Sequence, residues 1–145
     1  MAIYLDTSAL VPIYSPEPSS DKVFKAIIRL NEALVFTPLQ RHELKNAIRV
    51  RVFRKEISER ERYEAFKEIE SDLEDGTLEH HSVSWTELFR EADHIGAAHT
   101  EATGIRSFDL LHISLAKLLK PSSFLTLDVL QAQVARKIGL KVALL

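Results

Sequence analysis

Ala2-Ile3-Tyr4-Leu5-Asp6-Thr7-Ser8-Ala9-Leu10 decides how the rest of this chain is read. Ala2 to Leu5 is a short apolar run that reads as a buried strand, and it stops at a carboxylate, Asp6. The same grammar returns near the other end, where Ser123-Phe124-Leu125-Thr126-Leu127 reads as a strand and is followed by Asp128. Further short strands fall at Leu34 to Phe36, Leu78 to Val83 and Lys141 to Leu144.

Helical patterns fill the gaps between them. Ser8 to Tyr14 makes a short helical turn, closed off by the loop that contains Pro16 and Pro18. Ser20 to Glu32 repeats Val23, Phe24, Ile27 and Ile28 at helical spacing. Thr37-Pro38 supplies a cap and a first-turn proline for a helix from Leu39 to Arg54. Ser58, with Glu61 three residues on, opens a helix that ends at Asp75-Gly76. A helix from Trp85 to Thr103 stops at Gly104, and its positions Phe89, Ala92, Ile95, Gly96, Ala98 and Ala102 read as core. Ser107 reads as the cap of a helix that Pro121 closes, and Val129 to Ile138 ends at Gly139. Short apolar strands alternating with helices predict a parallel sheet covered on both faces. Right-handed crossovers then bring the strand C-termini to one edge, where such folds place their sites.

The chain has 145 residues, which fits one domain, and 46% of them are hydrophobic, so a core can form. Without cysteine there are no disulfides, thiolate nucleophiles or Cys-based zinc sites. No stretch is long and apolar enough for a secretory leader or a membrane span, so a cytoplasmic protein is expected. The net charge of -2 carries no argument for nucleic acid, but its distribution is uneven. Arg41 to Arg62 is rich in basic residues, whereas Tyr63 to Asp93 holds ten acids against Lys67 and Arg90. One end of this middle region could hold a phosphate backbone that the other repels, although solvated helix faces explain both stretches equally simply.

Four carboxylates stand out by position. Asp6 and Asp128 end strands, Asp109 lies in the first turn of the helix at Ser107, and Glu43 lies early in the helix after the second strand. Each has an ordinary structural job open to it: Asp6 and Asp128 as helix caps, Asp109 as a complement to the helix dipole, Glu43 as a solvated side chain. Those jobs do not explain four acids on one edge of the sheet. Crowded carboxylates raise one another's pKa unless a cation compensates, and an all-oxygen cluster suits Mg2+ or Mn2+.

These same residues carry a family resemblance. Tyr4-Leu5-Asp6-Thr7-Ser8-Ala9-Leu10 is similar to the first motif of the PIN domain family. His42-Glu43-Leu44-Lys45-Asn46-Ala47 resembles the second, with a more polar Lys45-Asn46 than the family pattern leads one to expect. Arg106-Ser107-Phe108-Asp109-Leu110-Leu111-His112 and the residues to Ala116 resemble the third. Leu125-Thr126-Leu127-Asp128, with Ala132, Ala135 and Gly139 to Val142 after it, resembles the fourth. The motifs come in family order over nearly the whole chain, which is most similar to VapC-type toxins of toxin–antitoxin pairs. The resemblance implies a single α/β domain over residues 1–145, with three layers α/β/α and a central, mainly parallel sheet of four to five strands. It implies an endoribonuclease whose Mg2+ or Mn2+ is held by Asp6, Glu43, Asp109 and Asp128. Asp6 and Asp128 are the expected direct ligands, and Glu43 and Asp109 complete the set or orient the attacking water. The products would be a 5′-phosphate and a 3′-hydroxyl.

Ser8 and Thr126 are candidates for holding a carboxylate or a water in place. Arg41, Lys45 and Arg49, on the helix of Glu43, could steer the RNA backbone. His112 reads as a packed, hydrogen-bonded histidine, and His42, His80, His81, His94 and His99 lack a paired zinc spacing. The implied partners are RNA, a small VapB-like antitoxin and a second copy of the chain. A housekeeping RNA-processing nuclease and a non-catalytic PIN-like scaffold are the alternatives. A phosphatase with an aspartyl nucleophile needs a second Asp where this chain has Ser8.

Overall fold

The computed structural model describes residues 1–145. Its elements, in chain order, are β1 (Ala2–Leu5), α1 (Thr7–Tyr14), α2 (Ser20–Leu30), β2 (Ala33–Phe36), α3 (Pro38–Phe53) and α4 (Glu59–Asp75). They continue with β3 (Leu78–His80), α5 (Trp85–Thr103), α6 (Ser107–Leu119), β4 (Ser123–Thr126), α7 (Val129–Lys137) and β5 (Val142–Leu144). The five strands form one sheet in the order β3-β2-β1-β4-β5, and every neighbouring pair is parallel. The sheet is thus wholly parallel, where the sequence suggested mainly parallel.

With a core on each side of the sheet, alternate residues of β1 and β4 enter opposite cores and both strands are buried at every position. Ile3, Leu5, Leu34, Phe36, Leu78 and Leu125 enter one core with side chains of α1 to α4, such as Leu10, Leu44, Ile48 and Ile69. Ala2, Tyr4, Val35 and Phe124 point the other way, into a second core with Leu88, Ala92, Ile95, Leu115 and Val134 of α5 to α7. Both layers sit on one sheet, and the middle strand β1 is buried at every position.

Local signals place the helix starts closely. Thr37 and Gln40 form a complete capping box on α3, and Ser58 and Glu61 form another on α4. Gln40 is fully buried because it does two jobs: its Oε1 accepts from the Thr37 backbone N–H at 2.9 Å, and its Nε2 donates to the Leu5 carbonyl at 2.9 Å. That second bond fastens the start of α3 to the end of β1.

Three expectations need correction. Arg106, not Ser107, occupies the N-cap position of α6, with no side-chain cap, and Ser107 is the first helical residue. The third strand ends at His80 rather than Val83, because its partner β2 ends at Phe36 and the chain turns there into α3. On α5 the buried face is Leu88, Ala92 and Ile95, whereas Phe89, Ala98 and Ala102 are exposed. Gly96 meets its neighbour closely: a Cβ there would lie 3.1 Å from Leu110 of α6.

Replacing Gln40 by Met keeps the volume but strands the Thr37 N–H and the Leu5 carbonyl. Denaturant unfolding should show a loss of about 1–3 kcal/mol. A variant as stable as the wild type would mean that this fastening contributes nothing.

Candidate active site

The parallel order brings the C-terminal ends of β1 and β4 side by side, and each strand there runs through a carboxylate into a helix. Asp6 caps α1, its Oδ1 accepting from the Ala9 N–H at 3.1 Å. Asp128 caps α7, its Oδ1 accepting from the Gln131 N–H at 2.8 Å. The capping role open to both residues is therefore filled, and filling it points both acids at the same edge.

Asp6 is 2% exposed, and each of its oxygens receives a hydroxyl. Ser8 Oγ donates to Oδ1 at 2.6 Å and Thr126 Oγ1 donates to Oδ2 at 2.5 Å. Each hydroxyl also accepts a backbone N–H from the turn after β4: Ser8, across the site, from Leu127 at 3.0 Å, and Thr126, within the turn, from Asp128 at 2.9 Å. Ser8 and Thr126 thus stitch β1 to the turn that carries Asp128. Asp109, on the first turn of α6, is tied in through Gln131, whose Nε2 donates to the Asp109 carbonyl at 3.1 Å.

Glu43 arrives from α3. Its Oε2 accepts from Thr7 Oγ1 and from Nε2 of His112, the latter at 2.8 Å. His112, on α6 one turn after Asp109, is 1% exposed, and its Nδ1 meets the Tyr4 hydroxyl at 2.7 Å. It is a packed, fully bonded histidine, as the sequence suggested. Asp6, Asp128 and the backbone of Asp109 are thus linked through Ser8, Thr126 and Gln131, and Glu43 forms a second set beside them with Thr7, His112 and Tyr4.

The electrostatics of these acids are unbalanced. Burial pushes the Asp6 carboxyl above its ordinary range, and the bonds from Ser8, Thr126 and Ala9 and the charge of His112 only partly offset this. Burial and the Asp128 charge, then Asp6 and Glu43, raise Asp109, with His112 pulling the other way. Glu43 goes the opposite way: burial raises it, but the bond and charge of His112, with Thr7, leave it below the usual carboxylate range. No Lys or Arg forms an ion pair with any of the four. A buried carboxylate among like charges without a basic partner is costly, and a hard cation is what the oxygen donors fit. No three of the acids and histidines stand close enough together to form a ready-made ligand cage. Coordination would therefore require carboxylates to exchange some of their present partners.

The basic residues sort differently from their order in the sequence. Arg41 and Lys45 pair with Glu70 of α4, the lysine at 3.3 Å. The charged groups of Lys45 and Arg49 also lie over the Phe66 ring, each 5.0 Å from its centroid. Beside the acids runs an open groove of about 580 Å³, lined in part by Val11, Val50 and Leu127 and by Thr7 and Ser8. Arg51 and Arg54 line it. Arg51 is pinned by Ser15 Oγ at 2.7 Å and by Glu17 at 2.9 Å, while Arg54 makes no ion pair. Sequence reasoning did not single out Arg54, Thr7, Tyr4 or Gln131. Only the helical offset of Arg54 from Ala47 and Val50 hinted at a shared face.

A PIN domain profile matches residues 3–137, so the chain belongs to the PIN domain family. Members of that family are generally nucleases. Among solved structures it is similar to VapBC2 from Rickettsia felis, determined with a DNA fragment from its promoter. That match has 18% identity and a TM-score of 0.68, covering 99% of this chain and 98% of that one. FitAcB from Neisseria gonorrhoeae matches at 15% identity and a TM-score of 0.61, covering 97% and 95%. A domain of a functionally unknown protein from Methanocaldococcus jannaschii matches at 14% identity and a TM-score of 0.52, covering 99% and 90%. No curated protein matches in sequence. At such identities the structures establish the shared fold, and the family assignment rests on the profile.

Repulsion at Asp109 gives a thermodynamic test. A carboxyl raised above its unfolded value contributes stability only while protonated, and that contribution is lost as pH rises through the folded pKa. Asp109→Asn should therefore raise the melting temperature in EDTA at neutral pH. The gain is below about 1 kcal/mol once screening of a half-exposed group is allowed for. It should vanish under acid conditions, where the wild-type carboxyl is protonated. A variant that melts lower than the wild type at neutral pH would show that the acids do not repel.

Proposed function

We propose that this PIN domain is a Mg2+- or Mn2+-dependent endoribonuclease and the toxin of a pair with a small VapB-like antitoxin. The observation that carries the proposal is Asp6: buried, bonded through both oxygens, and joined by three further acids with no Lys or Arg to balance them. Asp6, Asp128, Asp109 and Glu43 would hold the ion. Once bound, a divalent ion supplies water activation and offsets charge on the phosphate oxygens.

The protein's own groups supply position and proton transfer. Ser8 and Thr126 fix the plane of the Asp6 carboxylate from both sides. Asp109, whose carboxyl is raised by burial and by the Asp128 charge, is proposed as the acid that orients the attacking water and takes its proton, and Glu43, held low by His112, as an ionised partner. Attack of the water oxygen on phosphorus would break the bond from phosphorus to the 3′-oxygen; one water proton passes to the Asp109 carboxylate, and the departing 3′-oxygen takes a proton from solvent water. This yields a 5′-phosphate and a 3′-hydroxyl. Of the basic residues on α3, Arg49 is exposed and Arg41 and Lys45 are partly buried and paired with Glu70, and together they are proposed to steer the RNA backbone, with Arg54 in the groove. The groove, lined in part by Val11, Val50 and Leu127 and by Thr7 and Ser8 next to Asp6, would suit an antitoxin segment whose own Arg or Lys reaches the carboxylates. A homodimer is proposed from the same resemblance to VapC-type toxins.

The purified chain should cut RNA with Mg2+ or Mn2+ and stop with EDTA. Asp6→Asn and Asp128→Asn preserve both helix caps, so they should remain folded by circular dichroism. Each should lose more than about 100-fold in rate. An Asp6→Asn variant that cuts at the wild-type rate would refute the site.

Arg49→Ala and Arg54→Ala should weaken RNA binding in filter or fluorescence titrations and flatten its salt dependence by about one unit of slope each. Unchanged affinity for either would remove that residue from the binding surface.

A further inference from the structure

Building on the nuclease reading, we propose that Tyr4 and His112 form a positioning relay that commits one oxygen of Glu43 to the protein and leaves the other free. Glu43 Oε2 is an acceptor, so both groups that reach it, Thr7 Oγ1 and His112 Nε2, must donate. The Thr7 hydroxyl hydrogen is used in this way, so its 3.1 Å contact with Nε2 is one in which the imidazole N–H is shared. With the hydrogen on Nε2, Nδ1 is left to accept, and the Tyr4 hydroxyl donates to it at 2.7 Å. For the neutral imidazole, one arrangement of hydrogens therefore satisfies both ring nitrogens of His112, the Tyr4 and Thr7 hydroxyls and Oε2 of Glu43.

The surroundings make that arrangement rigid. The Tyr4 ring is stacked on Phe124 with centroids 5.5 Å apart, and it meets the His112 ring edge-on at 5.8 Å. Neither ring can turn without opening the core between β1, β4 and α6. Simple packing does not need this polarity: Phe at position 4 and Leu at position 112 would fill similar space without a buried hydroxyl and imidazole to satisfy. What the polar chain adds appears at its end. Oε2 of Glu43 is held by two donors, while Oε1 has no hydrogen-bond partner and is the oxygen available to an ion or a water. The relay begins on β1, two residues before Asp6, and ends on an acid from a different helix. It thereby sets Glu43 against the strand that carries Asp6.

The test uses the full chain and the variants Tyr4→Phe, His112→Leu and His112→Gln, the last keeping an amide donor in place of Nε2. Three measurements are made: Mn2+ affinity by electron paramagnetic resonance, kcat and KM on one defined RNA, and imidazole 15N shifts. Circular dichroism and thermal melting establish that each variant is folded. The relay predicts that wild-type His112 carries its hydrogen on Nε2, and that Tyr4→Phe keeps it there but moves the Nδ1 shift to that of a nitrogen without a donor. It predicts that His112→Leu weakens Mn2+ binding by about 10- to 100-fold and lowers kcat. KM for RNA should stay within about two-fold, and His112→Gln should recover most of the loss. Should His112→Leu fail to fold, Tyr4→Phe and His112→Gln still decide the matter through the 15N shifts and Mn2+ affinity. A wild type that binds Mn2+ and cuts RNA, with folded variants that match it, refutes the relay alone. A wild type that does neither refutes the nuclease reading and the relay with it.

Discussion

The arrangement depends on one buried carboxylate. Asp6 ends the middle strand of the sheet at 2% exposure, takes a hydroxyl on each oxygen, and forms no ion pair with Lys or Arg. Ser8 and Thr126 also accept the backbone N–H groups that shape the turn after β4, so the geometry of Asp128 follows from the geometry of Asp6. Pairing β1 with β4 in parallel is what makes this possible, because the two strands must end at the same level. The cost of such a site is electrostatic, and the acids bear it by local devices of different kinds. Hydroxyls serve Asp6, helix termini serve Asp6 and Asp128, an imidazole serves Glu43, and partial solvent exposure serves Asp109.

The two-sided sheet explains why the site is stiff. Ile3 and Leu5 lock β1 into one core, and Tyr4 locks it into the other. Tyr4 takes part in both tasks of the molecule, as a stacked core residue and as the first member of the chain that reaches Glu43. Gln40 adds a third connection, from the cap of α3 to the Leu5 carbonyl next to Asp6. Elements distant in sequence are therefore positioned by bonds of ordinary length to a single strand end, which is how a small domain can hold several like charges near one another.

Much of this was legible in the sequence because it is written in short-range signals. Short runs between helical patterns marked the strands, Thr37, Ser58 and the glycines marked helix ends, and Asp6 and Asp128 announced themselves by following strands. The rest depended on phase and on distance. The stripe on α5 was read with Phe89 inside, whereas a small rotation buries Leu88 instead. The third strand was read too long because its length is set by its neighbour, not by its own residues. The bonds from Tyr4 to His112 and from Thr7 to Glu43 join residues separated by 108 and 36 positions, and no local pattern encodes them. The basic residues of α3 were legible as a cluster, but their division between Glu70, Phe66 and the groove is a matter of which way a helix faces.

The central claim, that these acids are kept together to hold a hard cation, is tested most directly by soaking crystals of the protein in Mn2+ and collecting anomalous diffraction at the manganese edge. The account predicts a peak within bonding distance of Asp6 and Asp128, with Asp109 or Glu43 as a further oxygen ligand or bridged to the ion by water. A crystal with Mn2+ bound elsewhere and nothing beside Asp6 at saturating concentration would contradict it.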